Sequence, residues 1–136
     1  MAVREVIFRG KRVDNGEWIY GSLSWFTDGS PIEITMVERP KGNDKWTRVV
    51  APETVGQYSG LCDKNGNKIW EGDIVIFNRG RNLPNTKPRP LKIFFDESNA
   101  QFTCYESPYA TLQKDQMSEC EIIGNIHDNP ELLEVK

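Results

Sequence analysis

Apolar residues in this chain come in short runs that alternate with polar ones, and the runs are separated by Gly, Asn, Asp and Pro. That is the pattern of a β-rich protein. Residues 3–9, VREVIFR, lead through Gly10–Val13 to Asp14-Asn15-Gly16, where Asn15 and Gly16 tolerate positive φ and so close a hairpin. The return run Glu17–Leu23 alternates, which predicts Trp18, Tyr20 and Ser22 on one face and Ile19 and Leu23 on the other. A turn at Thr27–Ser30, a run through Ile32, Ile34 and Met36, a polar loop from Arg39 to Lys45 and a run Trp46–Val50 complete four expected strands. Pro52-Glu53-Thr54 predicts a helical connector of a turn or two.

The stretch Val55–Phe77, VGQYSGLCDKNGNKIWEGDIVIF, joins this part to the C-terminal half of the chain, and Gly56, Gly60, Gly66 and Gly72 punctuate it. It reads as turn, short strand, turn, long strand: Asp63-Lys64-Asn65-Gly66 closes one turn, and Gly72-Asp73 redirects the chain into Ile74–Phe77. Residues 78–90 hold Gly80, Pro84, Pro88 and Pro90 without an apolar period and predict a long loop or β-arm. Leu91–Phe95 and Phe102–Tyr105 flank a turn, Cys120–Ile126 forms a last strand, and Asn129-Pro130 starts a short terminal helix with Asn129 as its N-cap. The expected fold is mostly β: an N-terminal β-hairpin region, residues 1–55, packed on a small SH3-like barrel, residues 56–136, with short helical turns, all in one domain.

At 136 residues the chain can bury a core of its own, and with 38% hydrophobic and 27% charged residues it has the composition of a globular protein. No apolar run is long enough for a membrane span and Met1–Glu5 lacks the core of a signal peptide, so the expected location is cytoplasmic, without membrane contact. Cys62, Cys104 and Cys120 have no close spacing and predict free thiols, and no metal or cofactor is expected. The net charge of −3 conceals an asymmetry: residues 1–95 carry 15 Lys and Arg against 11 acids, residues 96–136 carry 2 against 9. The division sets a net +4 beside a net −7, which suits self-association.

Candidate chemistry is sparse. Asp63–Asn67 places oxygens at alternate positions, but a calcium loop starting there would need Gly at Lys68 and a bidentate acid at Ile74, so a β-turn is the better reading. Cys120 and the single histidine, His127, would lie at opposite ends of one strand, too far apart for a nucleophile and its base. No phosphate-binding glycine pattern occurs. Arg79, Arg81, Lys87, Arg89 and Lys92 lie on and beside the Pro-containing loop, in a stretch from Ile74 to Phe95 with no acid; they form a candidate contact for nucleic acid or for another subunit. Trp18, Tyr20, Trp25, Phe26 and Trp46 are expected in the core, with a binding face as the alternative. Asn15, Gly16, Asp63, Asn65, Gly66, Gly72 and Asp73 are assigned to turns.

Three blocks, IFRGKRVDNGEWIYGSL, VGQYSGLCDKNGNKIWEGDIVIF and IIGNIHDNPELLE, resemble in that order the YopX family of phage and prophage proteins. The pattern G-L-x-D-K-N-G-x-x-I-x-E-G-D-I-V carries most of the resemblance, from which the chain departs mildly at Cys62 and Trp70. The resemblance implies a mostly β protein with an SH3-like barrel and an uncharacterised role, and it supplies no catalytic residues. The function expected is therefore a phage- or prophage-encoded, non-catalytic interaction module that self-associates and meets a phage or host protein. A nucleic-acid-binding accessory protein is the alternative, and an enzyme comes last.

Overall fold

The computed structural model describes residues 5–77, 89–104 and 119–134, and the chain divides into two compact units, Met1–Tyr58 and Ser59–Lys136. The protein is mostly β. In the first unit β1 (Phe8–Lys11), β2 (Trp18–Ser24), β3 (Glu33–Met36) and β4 (Thr47–Val49) follow one another as antiparallel neighbours, and β5 (Gly56–Cys62) pairs with the other edge of β1. The register Lys11↔Trp18, Gly21↔Met36 and Ile34↔Arg48 carries the alternation of β2 across the sheet. One face therefore collects Phe8, Ile19, Leu23, Ile34 and Met36, which pack with Ile32, Val50 and Val55 as the core of this unit.

The sheet does not lie flat. Arg12 bridges to Val50, Val13 N–H donates to the Val49 carbonyl at 3.1 Å, and Ala51 N–H donates to that of Lys11 at 2.8 Å, so the end of β4 returns to the end of β1. The 3-10 turn Pro52–Thr54 follows where the Pro was expected to start it. Thr54 fastens this turn, its hydroxyl donating to Ala51 O at 2.6 Å and accepting from Lys11 N–H at 2.9 Å.

The second unit continues with the end of β5, β6 (Lys68–Trp70), β7 (Asp73–Phe77), β8 (Leu91–Lys92), β9 (Phe94–Asp96), β10 (Gln101–Thr103) and β11 (Cys120–Asn125). β7 lies between β11 and β8, and β9 pairs with β10. Ile69, Val75, Ile93, Cys104 and Cys120 form its core, with Leu61, Phe77, Leu91 and Ile122 packed against them. Among the described residues β7, β8 and β11 form a three-stranded sheet and β9 and β10 a hairpin, and the expected SH3-like closure into a barrel is not formed. The β7–β8 ladder pairs Ile74 with Lys92 and Val75 with Leu91, and β9 pairs with β10 and not with an edge of that sheet.

Two local expectations are also adjusted. Gly56 and Gly60, expected in turns, belong to the seven-residue β5: Gly56 opens it and faces Arg9 across the ladder, and Gly60 lies within it at φ +90°. Asn129 stands at the N-cap of the 3-10 turn Pro130–Leu133 as expected, with its main-chain oxygen accepting Leu132 N–H at 3.1 Å, but it makes no side-chain cap bond, its side-chain oxygen accepting from Asn125 N–H at 3.3 Å. Most of the expected loop at 78–90, and Tyr105, lie outside the described residues.

The turn glycines stand as the pattern required, with φ +74° at Gly16, +80° at Gly66 and +92° at Gly72. A Cβ at Gly66 would meet nothing within 4 Å, so any cost of a side chain there is conformational and not steric crowding. Replacing Gly66 with Val should destabilise the fold by about 1 kcal/mol or more. Thermal unfolding checks this, and a variant that melts with the wild type would contradict the turn geometry.

Candidate interaction surface

The most distinctive sequence motif is used for internal hydrogen bonding. Asp63 is 5% exposed, and one of its carboxylate oxygens accepts bonds from Asn65 and Asn67 N–H, both at 2.9 Å. The other oxygen accepts from Ile122 N–H at 3.2 Å, while Lys64 N–H donates to Cys120 O at 2.9 Å, so the turn is stitched to β11. Asp73, buried at the start of β7, accepts from Trp70 N–H at 2.7 Å and closes the β6–β7 turn. Both acids direct carboxylate oxygens onto main-chain donors: Asp63 forms an Asx turn with Asn65 N–H two residues on, and Asp73 reaches back three residues to Trp70 N–H.

Of the three thiols Cys62 is exposed and Cys104 and Cys120 are buried, and none of them is in a disulfide. Burial, reinforced by the charges of Asp63, Cys104 and Asp73, pushes the Cys120 thiol up to about 12, which keeps it protonated at neutral pH. His127 lies past the end of β11, where its main-chain N–H donates to the Asn125 side chain at 3.0 Å. No cluster of three metal-ligating side chains occurs among the described residues.

Of the five cations singled out in the sequence, Arg79, Arg81 and Lys87 lie outside the described residues. Arg89 is exposed, and Lys92 is exposed on β8 with its ammonium 5.9 Å from the centre of the Phe94 ring. The seven turn residues occupy turns or their edges: Asn15 accepts Glu17 N–H at 2.9 Å beside Gly16, and Asp63, Asn65, Gly66, Gly72 and Asp73 frame the two turns around β6.

The aromatic residues correct the sequence-based expectation most sharply. Trp25 is 71% exposed, Phe26 and Trp46 are 49% exposed and Tyr20 is 40% exposed; of the five, only Trp18 is half-buried. The physical reason lies in the alternation of β2. Ile19 and Leu23 take the core face, Tyr20 is left on the other, and aliphatic side chains fill the interior. Trp25 and Phe26 fall beyond the end of β2, and Trp46 precedes β4. On the face opposite the core, Arg9 and Lys11 of β1 reach over the Trp18 ring at 4.6 and 5.4 Å from its centre.

A four-residue ionic network, not anticipated from sequence, holds the adjoining loop. Arg12 grips Asp14 with two bonds, Nε at 2.8 Å and Nη2 at 2.7 Å, and reaches Asp44 with Nη1 at 2.9 Å. Arg48 pairs with Asp44 and lies 3.7 Å from Asp14. Asp44 is thereby neutralised, and it is anchored again by its N–H to Lys41 O at 3.3 Å and by accepting Lys45 N–H at 3.0 Å. Between β3 and β4 this leaves Arg39, Lys41 and Lys45 exposed and without an ion pair among the described residues, against the single exposed acid Glu38. Exposed Val37 and Trp46 flank the loop, and Val37 N–H donates to Tyr20 O at 3.1 Å, which sets Tyr20 beside it. The polar loop was visible in the sequence; the removal of its Asp44 charge by residues 12 and 48 was not.

With this geometry in view, comparison with known proteins settles the lineage. The family described as YopX protein matches residues 7–134. The chain belongs to the YopX family. A crystal structure of protein EF1440 from Enterococcus faecalis is similar to it over 97% of this chain and 100% of that one, with a TM-score of 0.66 and 22% sequence identity, a level that speaks for the shared fold alone. No curated protein matches this YopX chain. Within the described residues no helix is long and apolar enough to cross a membrane.

The ionic network makes an acid-side prediction. The Arg12 guanidinium, by its bonds to the side chain, holds the Asp14 carboxyl below its ordinary range, with Arg48 adding to the effect. A depressed carboxylate contributes stability above its unfolded value, near pH 4, and loses it as pH falls through the folded value. Asp14→Asn should therefore flatten the loss of stability below about pH 4. Denaturation midpoints measured across that range check this, and parallel profiles for variant and wild type would contradict it.

Proposed function

We propose that this YopX protein is a phage- or prophage-encoded, non-catalytic interaction module that presents the β3–β4 loop of its first unit to a partner and self-associates by charge through its second. The observation that carries the reading is the loop itself: three cations without an ion pair among the described residues, beside exposed Trp46, held in shape by the Arg12–Asp14–Asp44–Arg48 network. Exposed aromatic residues next to fixed Arg side chains are the composition that concentrates binding energy at protein surfaces. A loop fixed before binding also loses less conformational freedom when it docks.

Self-association is supported by the charge division along the chain. Exposed Arg89 and Lys92 precede a final stretch in which Glu119, Glu121, Asp128, Glu131 and Glu134 dominate. Opposite charges on one chain offer complementary surfaces to a second copy. Sedimentation velocity at low and high salt tests this: an assembly that dissociates as salt rises is expected, because exposed charge pairs are screened. A monomer at both salt concentrations contradicts self-association, and an assembly indifferent to salt assigns it to strand-edge pairing in place of charge.

A further inference from the structure

We infer that the β3–β4 loop of the first unit is a docking site for single-stranded nucleic acid. The inference rests on the interaction-module reading and names the partner class for its loop. It uses different residues from the Pro-containing stretch at 78–90. Three observations favour an anionic, base-bearing chain over other occupants.

The first is charge. Arg39, Lys41 and Lys45 are exposed and without an ion pair among the described residues, Asp44 is consumed by Arg12 and Arg48, and Glu38 is the one exposed acid between β3 and β4. Cations of this kind gain by displacing counterions from phosphates. The second is the surface that interleaves them: Trp46 at 49% exposure, Val37 at 54% and Tyr20 at 40% sit where the loop leaves the sheet. Indole and phenol faces stack on unpaired bases of any sequence, whereas bases inside a duplex are already stacked. The third is position. Tyr20 is directly opposite Arg9 on β1, which is buried over the Trp18 ring, and half-buried Lys11 lies opposite Trp18 one row on, so Lys11 is the β1 cation nearest the surface on the side of Tyr20 away from the loop. A backbone can then track the loop cations while its bases stack on Trp46.

Fluorescein-labelled single-stranded DNA and RNA oligonucleotides, the matching duplex and a polyglutamate peptide, titrated into the full chain and followed by anisotropy, test the assignment. Single strands should bind at low salt, bind more tightly than the duplex, and weaken as salt rises. Trp46→Ala should lower single-strand affinity about tenfold. Lys41→Ala and Lys45→Ala should each reduce the slope of log affinity against log salt by about 0.7. Unfolding midpoints equal to the wild type's show that these exposed substitutions leave the fold intact. No binding to any oligonucleotide at low salt overturns the inference, as does single-strand binding unchanged by all three substitutions. Polyglutamate binding without oligonucleotide binding also overturns it and leaves the interaction-module reading standing with a protein partner. A chain that binds single strands through the loop yet sediments as a monomer at every salt upholds this site and removes self-association alone.

Discussion

Two buried carboxylates hold the second unit of this protein in register. Asp63 gathers main-chain N–H groups from its own turn and from Ile122 on β11, a residue 59 positions away, and Asp73 gathers that of Trp70. Main-chain donors buried in turns must find acceptors, and an ionised oxygen is a stronger acceptor than a neutral one. The consequence spreads through the strands: Gly72 N–H donates to Ile93 O at 2.7 Å, Ile93 N–H donates to Asp73 O at 2.8 Å, and Ile126 N–H donates to Gly72 O at 2.9 Å. β6, β7, β8 and β11 are thereby fixed around Ile69, Val75, Ile93 and Cys120. The D-K-N-G and E-G-D-I-V segments, the most distinctive part of the sequence, are explained by this constraint without a reacting centre.

The first unit solves a similar problem with charges at its surface. Its sheet curls until Arg12 meets Val50, and the ionic network ties the β1–β2 turn to the loop before β4. Using Asp44 in this way has an effect beyond packing, because it leaves the cations of the same loop without their nearest acid. Aliphatic residues with Phe8 fill the core, so Tyr20, Trp25, Phe26 and Trp46 remain outside, where indole and phenol groups contribute most to recognition. Structure and proposed function are thus linked through one side chain, Asp44.

Much of the fold was legible from local pattern. The alternation of Glu17–Leu23 gave the correct inward residues, Asn15-Gly16 and Asn65-Gly66 marked turns with positive φ at the glycine, and the Pro residues at 52 and 130 marked 3-10 turns. What failed depended on distant partners. Gly60 looked like a break, but β5 continues through it at positive φ. Asn129 is the N-cap by position, but Asn125 N–H, and not the turn, claims its side-chain oxygen. The aromatic residues looked like core because their size suits burial, yet Ile19, Ile34 and Val50 had already filled the space. The loop site was hidden for the same reason: residue 44 is paired with residues 12 and 48, and only the folded chain shows which charges remain.

The central structural claim is that the family motif serves the fold through its buried acids, and equilibrium denaturation of Asp63→Ala beside the surface control Lys64→Ala tests it most directly. The first substitution leaves three N–H groups without their acceptor and should cost about 3 kcal/mol or more, at roughly 1 kcal/mol or above for each orphaned donor. Lys64→Ala removes a half-exposed ion pair to Glu121 and should stay within about 1 kcal/mol of wild type. An Asp63→Ala protein as stable as the Lys64→Ala control would contradict the account and return the motif to the search for a functional site.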